Sequence, residues 1–242
     1  MKTALVTGST RGIGRAIAER LAQAGYRVVI NGRNAETVQQ VCAQIGDLAL
    51  PLVLDMGDEA GVITALNGLP ELDLVVANVG SGKTLVADPF STSDFKRLFD
   101  LNFFTAASVC LLAAQRMIRS KKGHIVLISS IAGGEEIGAP LAYTTAKTAL
   151  LGFSKSLSRR VGTDNVRVNV VSPGNILFDG GTWDQKLKDS GDKVLHYIAD
   201  NVPLNRFGTP QEMAEVVLFL ENSPFITGAN IVADGGQTRK IT

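Results

Sequence analysis

A short apolar run, Ala4-Leu5-Val6, gives way at once to Thr7-Gly8-Ser9-Thr10-Arg11-Gly12-Ile13-Gly14, and a periodic helix carrying Ile17 and Leu21 runs on to Gly25. Strand, glycine turn and helix are the parts of a dinucleotide-binding crossover. Gly8 suits the tight turn, Gly12 lets a diphosphate approach the backbone, and Gly14 lets helix pack on strand. The helix start adds free N–H groups and the positive end of the peptide dipoles. Ser9, Arg11 and Ile13 share the turn and join the glycines as candidate cofactor contacts. A glycine trio is weak on its own, and this one has the wider spacing Gly-x-x-x-Gly-x-Gly. Its place between a strand and a helix is what gives it weight.

The pattern then repeats. Strand-like Arg27–Ile30, Ala49–Leu54, Leu72–Val76, His124–Ile128, Val166–Val171 and Asn230–Ala233 alternate with helix-like segments, among them Glu59–Leu66, Asp94–Ser120, Leu141–Val161 and Gln211–Leu220. Apolar strands alternating with helices predict an α/β domain, a parallel sheet covered on both faces. At 242 residues with no linker-like stretch, one core and one domain (1–242) are expected. A chain 45% hydrophobic and 19% charged is not disordered, and a net charge of +1 offers nothing to nucleic acid or an anionic membrane. Cys42 and Cys110 make no disulfide framework and fit a reducing cytoplasm. The first strand starts too early for a signal peptide, and no apolar run approaches the roughly 20 residues that span a bilayer. His124 and His196 lack metal-ligand spacing, so no metal is expected. The expectation is a soluble, cytoplasmic protein.

Three further stretches speak to chemistry. After Arg27–Ile30 comes Asn31-Gly32-Arg33, where the NAD-binding version of this unit places an acid on the ribose 2′-OH. Gly32 leaves space and Arg33, with Arg11 nearby, brings positive charge suited to a 2′-phosphate. That favours NADP(H) over NAD(H), although Arg33 as a solvated loop residue fits too. Asp55 and Asn78 close their strands on the edge where such sheets bind ligands. Gly80-Ser-Gly82-Lys83-Thr84 resembles the end of a phosphate loop, but Ala77 stands where that loop requires glycine, and an ATPase is rejected. Lastly, Lys147 follows Tyr143 by four residues in a helix-like segment, which puts phenol and ammonium on one face. A fixed ammonium favours the phenolate and lowers the phenol pKa from about 10. Ser130, just past the strand His124–Ile128, can meet that face. An ordinary surface helix carrying a Tyr and a Lys is the alternative.

With the glycine loop, Asn78-Val-Gly80, Ser130 and Tyr143-x-x-x-Lys147 in order, the chain resembles the short-chain dehydrogenase/reductase family from Thr7 to Gly236. Its closest likeness is to members of the 3-oxoacyl-[acyl-carrier-protein] reductase type. The resemblance implies a seven-stranded sheet of order 3-2-1-4-5-6-7 and NAD(P)(H)-dependent interconversion of a carbonyl and an alcohol. By the same resemblance Tyr143 is the acid/base, Ser130 bonds the substrate oxygen, and Lys147 holds the ribose and lowers the Tyr143 pKa. Asn102 matches the holder of a proton-relay water, and Asp55 the adenine-binding position. Gly80, Pro173, Gly174 and Ile176 fall among the cofactor contacts. A homotetramer using the helices Asp94–Ser120 and Leu141–Val161 is implied as well.

Departures are informative. The family's Asn-Asn-Ala-Gly reads Ala77-Asn78-Val79-Gly80, which loses a side chain that braces the sheet. Phe178 stands where many members carry a Thr for the nicotinamide amide, with Thr182 as a substitute. Glu135 and Glu136 precede Tyr143 as solvated loop acids or substrate selectors. Lys121 and Lys122 are either a dipole contact at a helix end or a landing site for an acidic carrier protein. The least family-like segment, 175–205, is polar, has the pair Gly180-Gly181 and holds the single Trp183. It reads as a mobile substrate lid, Trp183 lining the pocket or anchoring the lid. Alternatives in function are a sugar or cyclic alcohol dehydrogenase, or a non-catalytic NADPH-binding sensor or scaffold.

Overall fold

Residues two apart along each strand point to opposite faces, and in this chain both faces are apolar, so each must be covered. In the computed structural model, which describes residues 1–83 and 91–240, they are. Seven parallel strands, β1 (Thr3–Val6), β2 (Arg27–Gly32), β3 (Ala49–Val53), β4 (Leu74–Ala77), β5 (Gly123–Ile128), β6 (Val166–Pro173) and β7 (Asn230–Ala233), pair in the order 3-2-1-4-5-6-7. Val6, Val76 and Val126 face one core with Ile17 of α1 (Gly12–Gln23), Val38 of α2 (Ala35–Ile45) and Val217 of α8 (Pro210–Glu221). Leu5, Val75 and Ile125 face a second core with Val62 of α3 (Glu59–Gly68), Val109 of α5 (Thr105–Ser120) and Leu150 of α6 (Leu141–Val161). The chain leaves β1 toward opposite sides of the sheet, so a crevice opens between the carboxyl ends of β1 and β4.

The helix expected over Asp94–Ser120 begins earlier, as α4 (Thr92–Phe99), and reaches α5 through a π turn at Asp100–Phe104. Contrary to the sequence reading, this Thr92–Ser120 helix is long and apolar enough to cross a membrane, but half of its most apolar window is buried inside the protein. The packing of Val109, Cys110, Ala113 and Met117 against the sheet accounts for its apolarity.

The segment read as a lid contains a helix, α7 (Thr182–Asn201), broken at Ser190 where φ is −158° and ψ 54°. In a straight helix Trp183 and Tyr197 stand about 21 Å apart; their rings stack at 5.6 Å. The two arms therefore fold back on each other. Trp183 anchors this segment, packing on Tyr197 and Phe207, and Gln237 ties Asn175 to the Tyr197 hydroxyl.

Candidate active site

The glycine turn is held from below by groups that end neighbouring strands. Asn31, buried at the end of β2, accepts from the Gly8 N–H (3.0 Å) and donates to the Leu52 and Leu54 carbonyls. Ser9 Oγ accepts from the Asn31 N–H at 2.9 Å. Asn78 donates to the Thr7 and Gly8 carbonyls while its own N–H reaches Thr7 Oγ1. Asn78 thus braces the strand ends itself, and Ala77 simply fills the core. Gly8 and Gly12 have φ of +60° and +55°, open to glycine at little cost. A Cβ on Gly14 would sit 2.4 Å from the Gly8 carbonyl oxygen. No side chain caps the first turn of α1.

Across the crevice, the π turn aims the buried Asn102 at the loop after β4, accepting from Ser81 N–H and donating to the Ser81 and Leu98 carbonyls. A Cβ on Gly80 would meet Asn102 Oδ1 at 2.6 Å and Lys147 Nζ at 3.0 Å, so only glycine lets this loop pass. Asn102 is therefore a loop anchor in the ligand-free protein.

Ser130 starts a short turn after β5, its Oγ accepting from Ala132 N–H at 3.2 Å. It also acts on Tyr143, two residues into α6, favouring the ionised phenol. Lys147 is buried one turn on; its Nζ donates to the Ile128 carbonyl at 3.0 Å and lies 5.7 Å from the Tyr143 ring centre. Ser129 Oγ fastens the Lys147 carbonyl at 3.0 Å. The electrostatics correct the sequence reading. Burial raises the Tyr143 pKa, and the group opposing it is Ser130, not Lys147. Burial lowers Lys147 to about 8. The ligand-free phenol is thus not ionised in advance.

Other expectations also shift. Arg33 does not join Arg11: it faces Asp55 at 3.6 Å, both exposed, whereas Arg11 donates to the Gly180 carbonyl at 3.2 Å. The space beside Gly32 is taken by the Thr10 methyl, 2.6 Å from where a Cβ would stand. Gly174 is needed for close approach to Asp234 Cα, and Ile176 is a core side chain bridged to Gly208. Pro173 ends β6 beside Ala233, buried in the sheet. Ile13, in the first turn of α1, is partly buried and packs on the core. The Phe178 ring covers Gly12, and Thr182 is exposed at the start of α7. Glu135 accepts from the Arg239 and Lys240 N–H groups, and Glu136 from that of Gly138, so both shape loops. Lys121 pairs with Asp164, and Lys122 with Asp73 and Glu71, at the opposite edge of the sheet. Thr84, at the end of the phosphate-loop-like stretch, lies outside the described residues. A cavity of about 170 Å³ lined by Ile176, Val202, Leu204 and Met213 sits under the base of the lid, away from Tyr143.

A glycine turn with an uncapped helix start thus stands opposite two half-buried hydroxyls, those of Ser130 and Tyr143, and a buried lysine. The family model for short chain dehydrogenases matches residues 2–185. The chain is a short-chain dehydrogenase. It is 38% identical to carbonyl reductase family member 4 of Xenopus laevis, over 97% of each chain. It is 35% identical to the 3-oxoacyl-[acyl-carrier-protein] reductase FabG of Aquifex aeolicus, over 97% of this chain and 96% of that one. Among solved structures, YwfH, an NADPH-dependent reductase involved in bacilysin biosynthesis, superposes with a TM-score of 0.91 at 28% identity, over 99% of each chain. Membership makes this chain an oxidoreductase with a nicotinamide cofactor. Its residues fit one: the uncapped first turn of α1 suits a diphosphate, and the Lys147 ammonium, with one of its three N–H groups on the Ile128 carbonyl, suits ribose hydroxyls.

Proposed function

We propose that this short-chain dehydrogenase is a cytoplasmic, NADPH-dependent reductase that reversibly converts a ketone or 3-oxoacyl carbonyl to a secondary alcohol. The observation that carries the reading is Tyr143, with Ser130 acting on its hydroxyl, one helical turn from the buried Lys147 whose Nζ lies 5.7 Å from the phenol ring. Bound NADPH supplies the hydride for the carbonyl carbon. Tyr143 donates the proton to the carbonyl oxygen, on which Ser130 places a second hydrogen bond. Because burial opposes ionisation of Tyr143, a neutral phenol is the resting form, as reduction requires of an acid. Lys147 holds the ribose and stabilises the phenolate left after proton transfer.

Preference for the 2′-phosphate rests on two exposed cations, Arg11 and Arg33, and the lack of an acid at the end of β2. Asp55 pairs with Arg33 and is available to the adenine beside it. The NADPH-dependent reductase with the same fold supports this choice, and the 3-oxoacyl reductase and carbonyl reductase relatives support the substrate class. A non-catalytic NADPH sensor has no use for Ser130, Tyr143, Lys147 and Asn102 together. The reading includes a homotetramer, supported by Phe104, Leu111 and Leu141, which are exposed on helices α5 and α6 and the π turn before them. The deciding experiment is a panel of 3-oxoacyl thioesters, ketones, cyclic ketones and keto sugars with NADPH, following loss of the reduced nicotinamide absorbance. Turnover only with sugars or cyclic alcohols replaces the substrate assignment, and no turnover with any carbonyl supports the sensor.

A further inference from the structure

Phe178 lies closer to the glycine turn than a residue with any side chain on Gly12 would allow. A Cβ built on Gly12 would stand 2.6, 2.7 and 3.0 Å from three atoms of its ring. That face of Gly12 is the one left bare for a diphosphate at the start of α1. The ring is partly buried and packs on the same core as Ile13. It is carried by a tight turn in which Gly181 N–H donates to the Phe178 carbonyl at 3.0 Å and Gly180 has φ +70°. The Gly180 peptide is gripped from both sides: its N–H donates to Asp184 Oδ2 at 2.9 Å, and its carbonyl accepts from Arg11 Nη1 at 3.2 Å. Arg11 thereby fastens the turn to the start of α1.

We propose that Phe178 sets cofactor affinity by competition: its ring occupies the diphosphate position on Gly12, and a dinucleotide binds by displacing it. The proposal rests on the dinucleotide reading of the site but not on which dinucleotide is preferred. Arg11 adds a second step, since a 2′-phosphate that draws its guanidinium away also frees Gly180. Displacement costs the ring its contact with the Ile13 core, and that cost is subtracted from the binding energy of every ligand carrying the diphosphate.

Calorimetric titration of NADPH and NADH into the wild type, Phe178→Ala and the milder Phe178→Leu tests it, with thermal unfolding of each ligand-free protein alongside. The expected result is a Kd lowered about fivefold, close to 1 kcal/mol, in Phe178→Ala for both nucleotides. Phe178→Leu falls between, and the ligand-free Tm drops in the same order. Affinity rising while stability falls is what a competing side chain gives; a merely structural residue lowers both. A Kd unchanged or raised in the variants overturns the proposal and makes the ring a platform for the cofactor. If the wild type binds NADPH and NADH equally while the variants still gain, the competition stands and only the NADPH preference fails.

Discussion

At the amino edge of the sheet, charged and polar side chains are used up on one another; at the carboxyl edge, backbone and side chains are still available to a ligand. The amino edge gathers His124, Arg167, Tyr26 and Lys2 around Glu221 at the end of α8. Its carboxylate takes hydrogen bonds from Tyr26 (2.7 Å), Lys2 (2.9 Å) and His124 Nδ1 (2.9 Å), and Asn169 donates to His124 Nε2 at 3.1 Å. Burial pushes the Glu221 carboxyl up, but the hydrogen bonds from His124, Tyr26 and Lys2 outweigh it and hold the group at about 2. At the carboxyl edge burial alone acts on Lys147 and lowers it to about 8. Burial alone therefore does not mark function. A buried charge surrounded by partners stabilises the fold, whereas one left short of partners is poised to titrate near neutrality.

The largest break in that contrast is Tyr143→Phe. Turnover should fall by about a thousandfold, the scale of general acid catalysis, while NADPH affinity changes by less than about twofold. Single-turnover rates and cofactor titrations on the same preparation check both. A variant keeping a tenth of wild-type turnover removes Tyr143 from the acid role. The mirror-image substitution is Glu221→Ala, which strands His124 and Arg167 in the interior and should cost about 3 kcal/mol at neutral pH. The Glu221 pKa is depressed, so its stabilisation is present above the ordinary carboxylate pKa of 4.5 and is lost as pH falls toward about 2. Urea unfolding should show the gap between wild type and variant closing over that range, with kcat/KM of the folded variant unchanged. A gap that does not depend on acidification means the carboxylate is not what holds the cluster.

Arg33→Asp acts on the carboxyl edge alone. Removing a charge-assisted partner of the 2′-phosphate should weaken NADPH about tenfold or more relative to NADH, with Arg11 keeping the switch incomplete. Equal kcat/KM for the two cofactors in the wild type would already dissolve the clamp.

The amino edge was also the less legible in the sequence. Every strand could be read because buried parallel strands are written as apolar runs, and the glycine turn and Tyr143-x-x-x-Lys147 could be read because their spacing is local. Long-range partners leave no such trace. Asn31 under the glycine turn, Glu221 as the hub of His124 and Lys2, and Glu135 on the chain's end each depend on residues about 20 to more than 200 positions away. The helix within 175–205 was hidden for a related reason. Its polar composition hid a helical hairpin whose apolar contact, Trp183 on Tyr197, appears only once Ser190 breaks the helix. Phe178 was visible as a departure, but nothing local to it pointed to Gly12.

The smallest expected effect separates the two edges most finely. Burial lowers the Lys147 pKa from 10.5 to about 8. Below that value the folded, ligand-free protein carries a buried ammonium whose desolvation works against folding. Between about 8 and 10.5 the unfolded chain still holds the proton and the folded chain does not, so unfolding takes up a proton and stability rises with pH. Lys147→Met has no such proton. The stability of the wild type relative to Lys147→Met should therefore climb steadily through this window, read by chemical denaturation at a series of pH values, and stay level between about 6 and 7. The same subtraction at the amino edge, wild type against Glu221→Ala, should be level between about 8 and 9, where the Lys147 curve already climbs. It should move in acid and again only above about 10, where Lys2 and Tyr26, raised to about 12 with Glu221 hydrogen bonds among the causes, begin to titrate in the unfolded chain. A Lys147 difference that is flat above pH 8 would mean that water or the Ile128 carbonyl keeps the ammonium charged, and the lysine would then belong with the satisfied charges of the opposite edge.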